Sequence, residues 1–545
     1  MTQNRATSVV HKSGSKHSRK YRISNNTFGY LIILTAFALS VFIRLPDFKH
    51  TTGLQNLEAT YHALLTVHAL STQPLSDSKL LPIVTQANKY DKFIPWGAAL
   101  PMSNGNFVYT SFPPLGFIAP FVFFKILHLE PTIKGLIAFN CLLGLASAFL
   151  LYHLIVRLLL INGAKQAQAI FCSAIGVGCL IFSREGLASF GIVYWSHSLQ
   201  QLFLIAQLIA LLNVLGKSID KTPLGVRIGF LSFISFLTAY TEWSGLIGNA
   251  IICLLIASRW LSLPSRARRI LIIAIAGSTA AAIILIMTHL FLALGINEAF
   301  TSLLARFGDR NVRTAGASFS YLIQGYNVSY GALIPVVLAM LVWSSYFYPI
   351  QQKVDEQHRT TSSFIILAAC APLLENILLL QHSIEFSFDR LKFAVPLAIV
   401  VSSLLARMTM QGNRLLATIF VGLIIIAFSQ NFKTYYAHNL FYADWREHDN
   451  VNRILKDKVA ATVDLSCSIL ATNFDVRGYS NLLFGRGIYE YSSPEKLRTK
   501  MIELNACAGI WLEQRRLYPN IPSFLQATIY RPDQPLVVIQ GNSRP

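Results

Sequence analysis

Acidic residues are scarce in this sequence: 26 Asp and Glu stand against 46 Lys and Arg, and charged residues of both signs make up only 13% of its 545 positions. So small a charged fraction excludes a water-soluble globular chain of this size. A Walker phosphate loop, a Gly-rich dinucleotide fingerprint, a nucleophile elbow and metal-type cysteine spacing are all missing. The templates of soluble nucleotide-binding enzymes and hydrolases therefore do not apply. No internal repeat relates the two halves, which argues against the usual construction of a transporter. Cysteine is sparse too. Cys141, Cys172, Cys179, Cys253 and Cys370 fall in apolar runs, where a thiol acts as a small hydrophobe. Only Cys467 and Cys507 lie in polar sequence, where a disulfide and two free buried thiols are both open readings. The formal charge of +20 is spread between apolar runs rather than gathered in one patch, so it reads as membrane topology and nucleic acid is set aside as a partner.

What is present is apolar sequence, with 53% hydrophobic residues and a mean hydropathy of +0.48. This predicts a polytopic α-helical membrane protein of about 11 transmembrane helices, at about 28–43, 135–156, 169–185, 193–215, 226–241, 244–259, 270–294, 331–348, 361–380, 393–409 and 414–430. Residues 1–25 are basic and without apolar pattern, a disordered cytoplasmic tail by composition. Residues 26–430 form the transmembrane domain, with interfacial helices in a first outer loop over 44–134. Basic loops at Arg157 and Lys165, Lys217 to Arg227, Arg259 to Arg269, Lys353 and Arg359, and Arg407 and Arg414 alternate as the positive-inside rule requires. An odd number of spans then puts residues 431–545 outside. Their short strands (468–472, 487–491, 508–512, 536–540) and one helix (494–504) read as a small α/β domain.

The stretch Leu54–Leu70 places Leu54, Leu57, Tyr61, Leu64 and Leu65 on one side at helical spacing, which predicts an amphipathic helix on the membrane surface. Glu58 and His62 lie one turn apart on it. A carboxylate and an imidazole so spaced can address one point, as general base chemistry or metal binding requires, and a solvated helix face is the alternative. A second apolar run opens at Phe112 and ends near Leu129, read as interfacial because counting it as a span would move every later basic loop to the outer side. Arg184 and Glu185 end one span and Tyr194-Trp195-Ser196-His197 begins the next, so they should meet, lining a cleft or forming an ion pair beside an aromatic belt. Glu242 stands where it can assist Glu58, bind a cation or cap a span. Glu375 lies within an apolar run and is expected to be internally paired. Arg306, Arg310 and Arg313 share an outer loop, where attraction to anionic headgroups is the alternative to ligand binding.

Leu57-Glu58-Ala59-Thr60-Tyr61-His62 on the first-loop helix, Phe112-Pro113-Pro114-Leu115-Gly116 opening the second, Thr238-Ala239-Tyr240-Thr241-Glu242-Trp243-Ser244-Gly245 ending a middle span and Asp389-Arg390-Leu391-Lys392-Phe393-Ala394-Val395-Pro396 entering a late one form a recognisable set. In layout and motifs the chain resembles the GT-C superfamily of integral membrane glycosyltransferases, which includes the protein O-mannosyltransferases and the bacterial aminoarabinose and lipopolysaccharide core transferases. The resemblance implies a sugar on polyprenyl phosphate as donor, a glycan, lipid or protein as acceptor, and reaction at the periplasmic face of a bacterial inner membrane, with the N-terminus cytoplasmic and the C-terminus periplasmic. It implies Glu58 as general base with His62 beside it, and Arg390 and Lys392, with Arg306, Arg310 and Arg313, countering charge on the departing phosphate. Arg184, Glu185, His197 and Glu242 become cleft candidates. No cofactor is certain, and a divalent metal, if used, falls to Glu58 or Glu185. Many members carry Asp-Glu where this chain has Leu57-Glu58, which bears against metal dependence more than against the base. Other classes stay open: a lipid-linked glycan flippase or transporter using Glu375, His289 and the arginines, a surface-polysaccharide polymerase or ligase, and a non-catalytic assembly scaffold.

Overall fold

A computed structural model describes residues 17–49, 57–85, 99–216, 222–258, 261, 263–311, 318–347, 356–437, 455–464, 467–472, 482–485, 488–489, 491–518, 521–532 and 534–542. Residues 1–16, Leu54 and Arg313 lie outside the described residues. Each expected span contains a helix. Among the described residues, eight helices are long and apolar enough to cross a bilayer: Thr27–Phe48, Ile133–Ile161, Ser196–Leu215, Leu224–Thr241, Ser265–Leu294, Thr360–Leu378, Ser387–Met410 and Arg414–Tyr436. A ninth is a pair, Phe319–Tyr330 and Leu333–Tyr346, bent by 95°. Gly331 sits at the break with φ 50°, a left-handed conformation that glycine adopts without a Cβ clash. Gln166–Ile181 and Trp243–Ala257 hold 16 and 15 residues. At 1.5 Å per residue they span roughly 24 Å, short of the roughly 30 Å hydrocarbon core.

The bundle is held as lipid requires, by close backbone approach and by polar pairs inside it. A Cβ on Gly176 would lie 1.9 Å from Ser402 Oγ and 2.5 Å from the Ala398 carbonyl, so only glycine lets Gln166–Ile181 lie against Ala394–Met410. Gln207 Nε2 donates to Ser235 Oγ at 2.9 Å and to Asn249 Oδ1 at 2.6 Å, and Asn249 Nδ2 reaches Thr279 Oγ1 at 2.8 Å. That chain ties four successive helices where an unpaired amide would be costly.

Two expectations near the N-terminus change. The first helix runs His17–Lys49, so residues 17–25 are helical rather than part of a disordered tail. The first-loop helix, Leu57–Thr72, is not a surface helix with one wet face, because Thr60 to Val67 are all buried. Its would-be polar side carries small alanines and threonines, which pack where charged residues would not. Thr60 Oγ1 donates to the Ile192 carbonyl at 2.7 Å and accepts from the Tyr194 amide at 2.9 Å. The second first-loop helix, Leu115–Ile126, is 12 residues long and too short to span, in line with its interfacial reading. Between the two lies a short antiparallel pair, β1 (Ala99–Pro101) and β2 (Phe107–Tyr109).

The C-terminal unit is a sheet with strands β3 (Ser468–Thr472), β4 (Ile488–Tyr489), β5 (Ala508–Tyr518), β6 (Ile521–Arg531) and β7 (Gln534–Asn542), in the order β4-β3-β5-β6-β7. β3 is parallel to β4 and β5, with helix Pro494–Glu503 on the connection, and β5-β6-β7 is an antiparallel meander. β6 was not expected, since Pro522, Ser523, Gln526 and Thr528 dilute its apolar alternation. Cys467 and Cys507, which precede β3 and β5, form a disulfide across their parallel register. Replacing Cys467 with Ser is expected to destabilise this unit by about 2–4 kcal/mol. Limited proteolysis should then cut within 455–542 at lower temperature, with the helical bundle unaffected; equal protection would show the link to be dispensable.

Candidate active site

Three breaks in the helices meet at one end of the bundle and deliver its most unusual polar groups. His197 sits in the first turn of Ser196–Leu215, and Glu242 joins Leu224–Thr241 to Trp243–Ala257 in extended conformation. Asp389 lies in the 3-10 turn Ser387–Phe393. They are only 4%, 1% and 1% exposed. His197 Nε2 is 2.7 Å from Glu242 Oε1 and also touches Asp389 Oδ1. The far oxygens are held from outside: Ser244 Oγ donates to Glu242 Oε2 at 2.9 Å, and His382 Nδ1 and Ser383 Oγ donate to Asp389 Oδ2 at 2.5 and 3.4 Å. Burial draws the His382 imidazole below its ordinary pKa although Asp389 pulls the other way. Lys392 pairs with Glu375 in the same buried region, so Glu375 is internally paired as expected.

Arg390 is placed differently from the expectation that it faces a departing phosphate. Its Nε donates to Ser329 Oγ at 2.8 Å and its Nη1 to the Ser383 carbonyl at 2.6 Å. Ser329 Oγ in turn donates to Glu185 Oε1 at 2.9 Å, which also takes Arg184 Nη1 at 2.8 Å. Arg184, Glu185 and Arg390 are buried, and their charges are spent on one another and on backbone. Arg390 thus braces Ser329 and the Ser383 carbonyl, and Glu185 Oε1 is engaged by Arg184 and Ser329.

Two further cations, the partly exposed Arg306 and the buried Arg310, stand on helix Ile296–Arg310. They line a cleft of about 280 Å³ whose other walls include Leu246, Ile247, Leu303 and Phe307. Arg306 Nε donates to Ser111 Oγ at 2.9 Å and its Nη1 pairs with Asp309 at 2.9 Å. Arg310 Nη1 donates to the Ser111 carbonyl at 3.2 Å, and its guanidinium lies 4.7 Å over the Phe112 ring. Burial pushes the Arg310 guanidinium below its ordinary pKa, while Tyr109, Asp389 and Glu375 oppose the shift, so the cleft and the carboxylate cluster share one field.

Phe112 is the partition between them. Its ring centroid lies 6.0 Å from His197 and 5.9 Å from His382, while Arg310 lies over the same ring. The residues that follow explain its seat. Pro113 and Pro114 lead directly into helix Leu115–Ile126, and a Cβ on Gly116 would lie 2.6 Å from Ser196 Cβ, so glycine lets this segment lie against the residue before His197. Tyr194 Oη fixes the contact by donating to the Gly116 carbonyl at 2.5 Å.

Glu58 and His62 sit in different settings. Glu58 is exposed in the first turn of Leu57–Thr72, whereas His62 is buried among Tyr109, Trp195 and Phe117, with ring centroids 4.5, 5.1 and 5.9 Å away. Burial pushes the His62 imidazole down to about 3 from the ordinary 6.5. The fold therefore binds the neutral ring, and the stability it contributes is full above pH 6.5 and lost as pH falls from 6.5 towards about 3. His62→Phe is expected to keep the aromatic packing and to flatten the acid limb of a melting-temperature profile over that window; an unchanged limb would contradict it. Sequence reasoning passed over two residues of the cluster. Asp389 was noticed only as part of an entry motif, and His382, seven positions earlier, offered no signal beyond an imidazole between apolar runs.

No protein-family model matches the sequence, and curated proteins give no match either. Solved structures do match. An oligosaccharyltransferase of Archaeoglobus fulgidus in its apo form superposes with a TM-score of 0.55 at 11% identity, over 91% of this chain and 70% of that one. The archaeal oligosaccharyltransferase AglB from Archaeoglobus fulgidus, in complex with an inhibitory peptide and a dolichol-phosphate, gives 0.54 and 11% over the same shares. ArnT from Cupriavidus metallidurans bound to undecaprenyl phosphate gives 0.55 at 9% identity, over 94% of this chain and 98% of that one. The chain has the fold of the GT-C integral membrane glycosyltransferases.

Proposed function

We propose that this protein is a membrane glycosyltransferase that moves a sugar from a polyprenyl-phosphate donor to a glycan, lipid or protein acceptor at the periplasmic face of a bacterial inner membrane. The observation that carries the reading is the apolar cleft with Arg306 and Arg310, separated by one ring, Phe112, from a buried carboxylate and imidazole cluster. A lipid phosphate needs both properties, apolar walls for the chain and cations for the head. Structures of the same fold are described in complex with dolichol-phosphate and undecaprenyl phosphate, which agrees with a donor of that class. The disulfide of the C-terminal unit suits an oxidising compartment and so supports the periplasmic orientation.

In this reading the acceptor hydroxyl attacks the anomeric carbon, the bond from that carbon to the phosphate oxygen breaks with its electron pair passing to the phosphate, and Arg306 and Arg310 stabilise the charge that develops. The hydroxyl proton passes to a carboxylate. Glu58 is the first candidate, because its exposed position lets it exchange that proton with water, and Glu242 and Asp389 are the second, being held by His197. Glu375, on which a transporter reading depends, lies in the field of Glu242 and Asp389 and is paired with Lys392, which leaves it no separate intramembrane path.

The test is transfer of radiolabelled sugar from a polyprenyl-phosphate donor pool in membranes holding wild type or Glu58→Gln at matched abundance. Transfer by wild type and its loss by orders of magnitude in the variant is the expected result. Equal transfer by both moves the base to Asp389 or Glu242. No transfer by wild type from any lipid-linked donor overturns the reading.

A further inference from the structure

We infer that His197 Nε2, Glu242 Oε1 and Asp389 Oδ1 form a binding site for one divalent transition-metal ion. The three atoms come from three different helix ends and lie within 4.8 Å of one another, fully enclosed. Although Nε2 lies at ion-pair distance from both carboxylate oxygens, none of the three atoms makes a hydrogen bond. A proton on Nε2 can bond one of the two carboxylates and leaves the other unanswered; a cation answers all three.

The surroundings are arranged as a metal's outer ligand shell. Each carboxylate has its far oxygen fixed by a donor, Ser244 for Glu242 and His382 with Ser383 for Asp389, which leaves the near oxygen aimed inward. A second feature points to an occupant independently. Gln200 and Gln201 line the same small cavity, at 5% and 2% exposure, with Gln200 Oε1 and Gln201 Nε2 lacking any partner. They are placed to receive the water that completes a coordination shell. Glu242, Asp389 and Glu375 share this field with Lys392 and, across Phe112, Arg310. One imidazole nitrogen with two carboxylate oxygens suits Mn²⁺ or Zn²⁺, and is too small and too nitrogen-containing a set for Ca²⁺. Neither Glu58 nor Glu185 takes part.

The experiment reads metal binding, so it stands or fails apart from sugar transfer. Full-length protein in lipid nanodiscs is stripped with chelator and titrated with Mn²⁺, with free ion followed by electron paramagnetic resonance. One equivalent per chain is expected, displaced by Zn²⁺, with spin-echo modulation from one directly bound imidazole nitrogen. His197→Ala and Asp389→Asn should each lose that equivalent, His382→Phe should weaken it by about 10–100-fold, and Glu375→Gln should retain it. Absence of a stoichiometric site in wild type, a bound ion without nitrogen modulation, or an unchanged site in a folded Asp389→Asn each overturn the inference. The first two are measured on wild type alone, so a variant that fails to fold does not shelter it.

Discussion

Replacing Arg310 with Met is expected to lower kcat/KM for a polyprenyl-phosphate sugar by roughly 10²–10³, the usual effect of removing one fixed charge from a developing anion. The size follows from the setting. Arg310 is buried against Phe112 and Ser111 at the wall nearest the carboxylates, where low dielectric makes its charge count and no water can replace it. Arg310→Lys should recover only part of the loss, because an ammonium neither stacks on Phe112 as a guanidinium plane does nor donates in a fork to two phosphate oxygens. Arg306→Met should cost about tenfold, since its side chain is 27% exposed and already paired with Asp309. Steady-state transfer in proteoliposomes measures all three. An Arg310→Met enzyme as fast as wild type would remove the cleft from the reaction.

Asp389→Asn is expected to be the most damaging single change to the bundle, costing about 3–5 kcal/mol of stability, as removal of one member of a buried charged network does. Asp389 stands between two imidazoles: one oxygen meets His197, the other takes His382 and Ser383. An amide has one acceptor oxygen and no charge, so it cannot both take His382 and Ser383 and keep an anionic oxygen beside His197. Heat-induced labelling of the buried Cys172 and Cys179 by a thiol-reactive dye reports the melting of the helices that hold them. The loss should shrink when His382→Phe is already present, because the two share one hydrogen bond. Equal melting of Asp389→Asn and wild type would mean that the network does not hold the helix ends together.

The membrane class and the order of elements were legible because both rest on composition and on apolar runs of about 20 residues, which are read without knowledge of tertiary contacts. The bend at Gly331 and the shortness of Gln166–Ile181 and Trp243–Ala257 were not, since an apolar run does not say where a helix stops inside it. At the site, the first-loop residues drew attention because Glu58 and His62 are four apart, yet helical spacing gives only direction. It does not reveal that Tyr109 and Trp195, distant in sequence, close over one of the two. The motifs Glu242-Trp243 and Asp389-Arg390 were visible separately. Their meeting at His197 depends on how three helix ends stack, and Arg390 is turned inward with Ser329, 61 positions earlier, as a partner.

The walls of the Arg306 and Arg310 cleft are mostly leucine, isoleucine, phenylalanine and tryptophan. A guest that fits such walls dissolves in the bilayer and reaches them by diffusing in two dimensions. Occupancy is then set by the mole fraction of that lipid among its neighbours rather than by molarity in water. Diluting the donor with inert phospholipid should slow the protein at constant bulk concentration, whereas diluting the vesicles with buffer should leave each one turning over at the same rate.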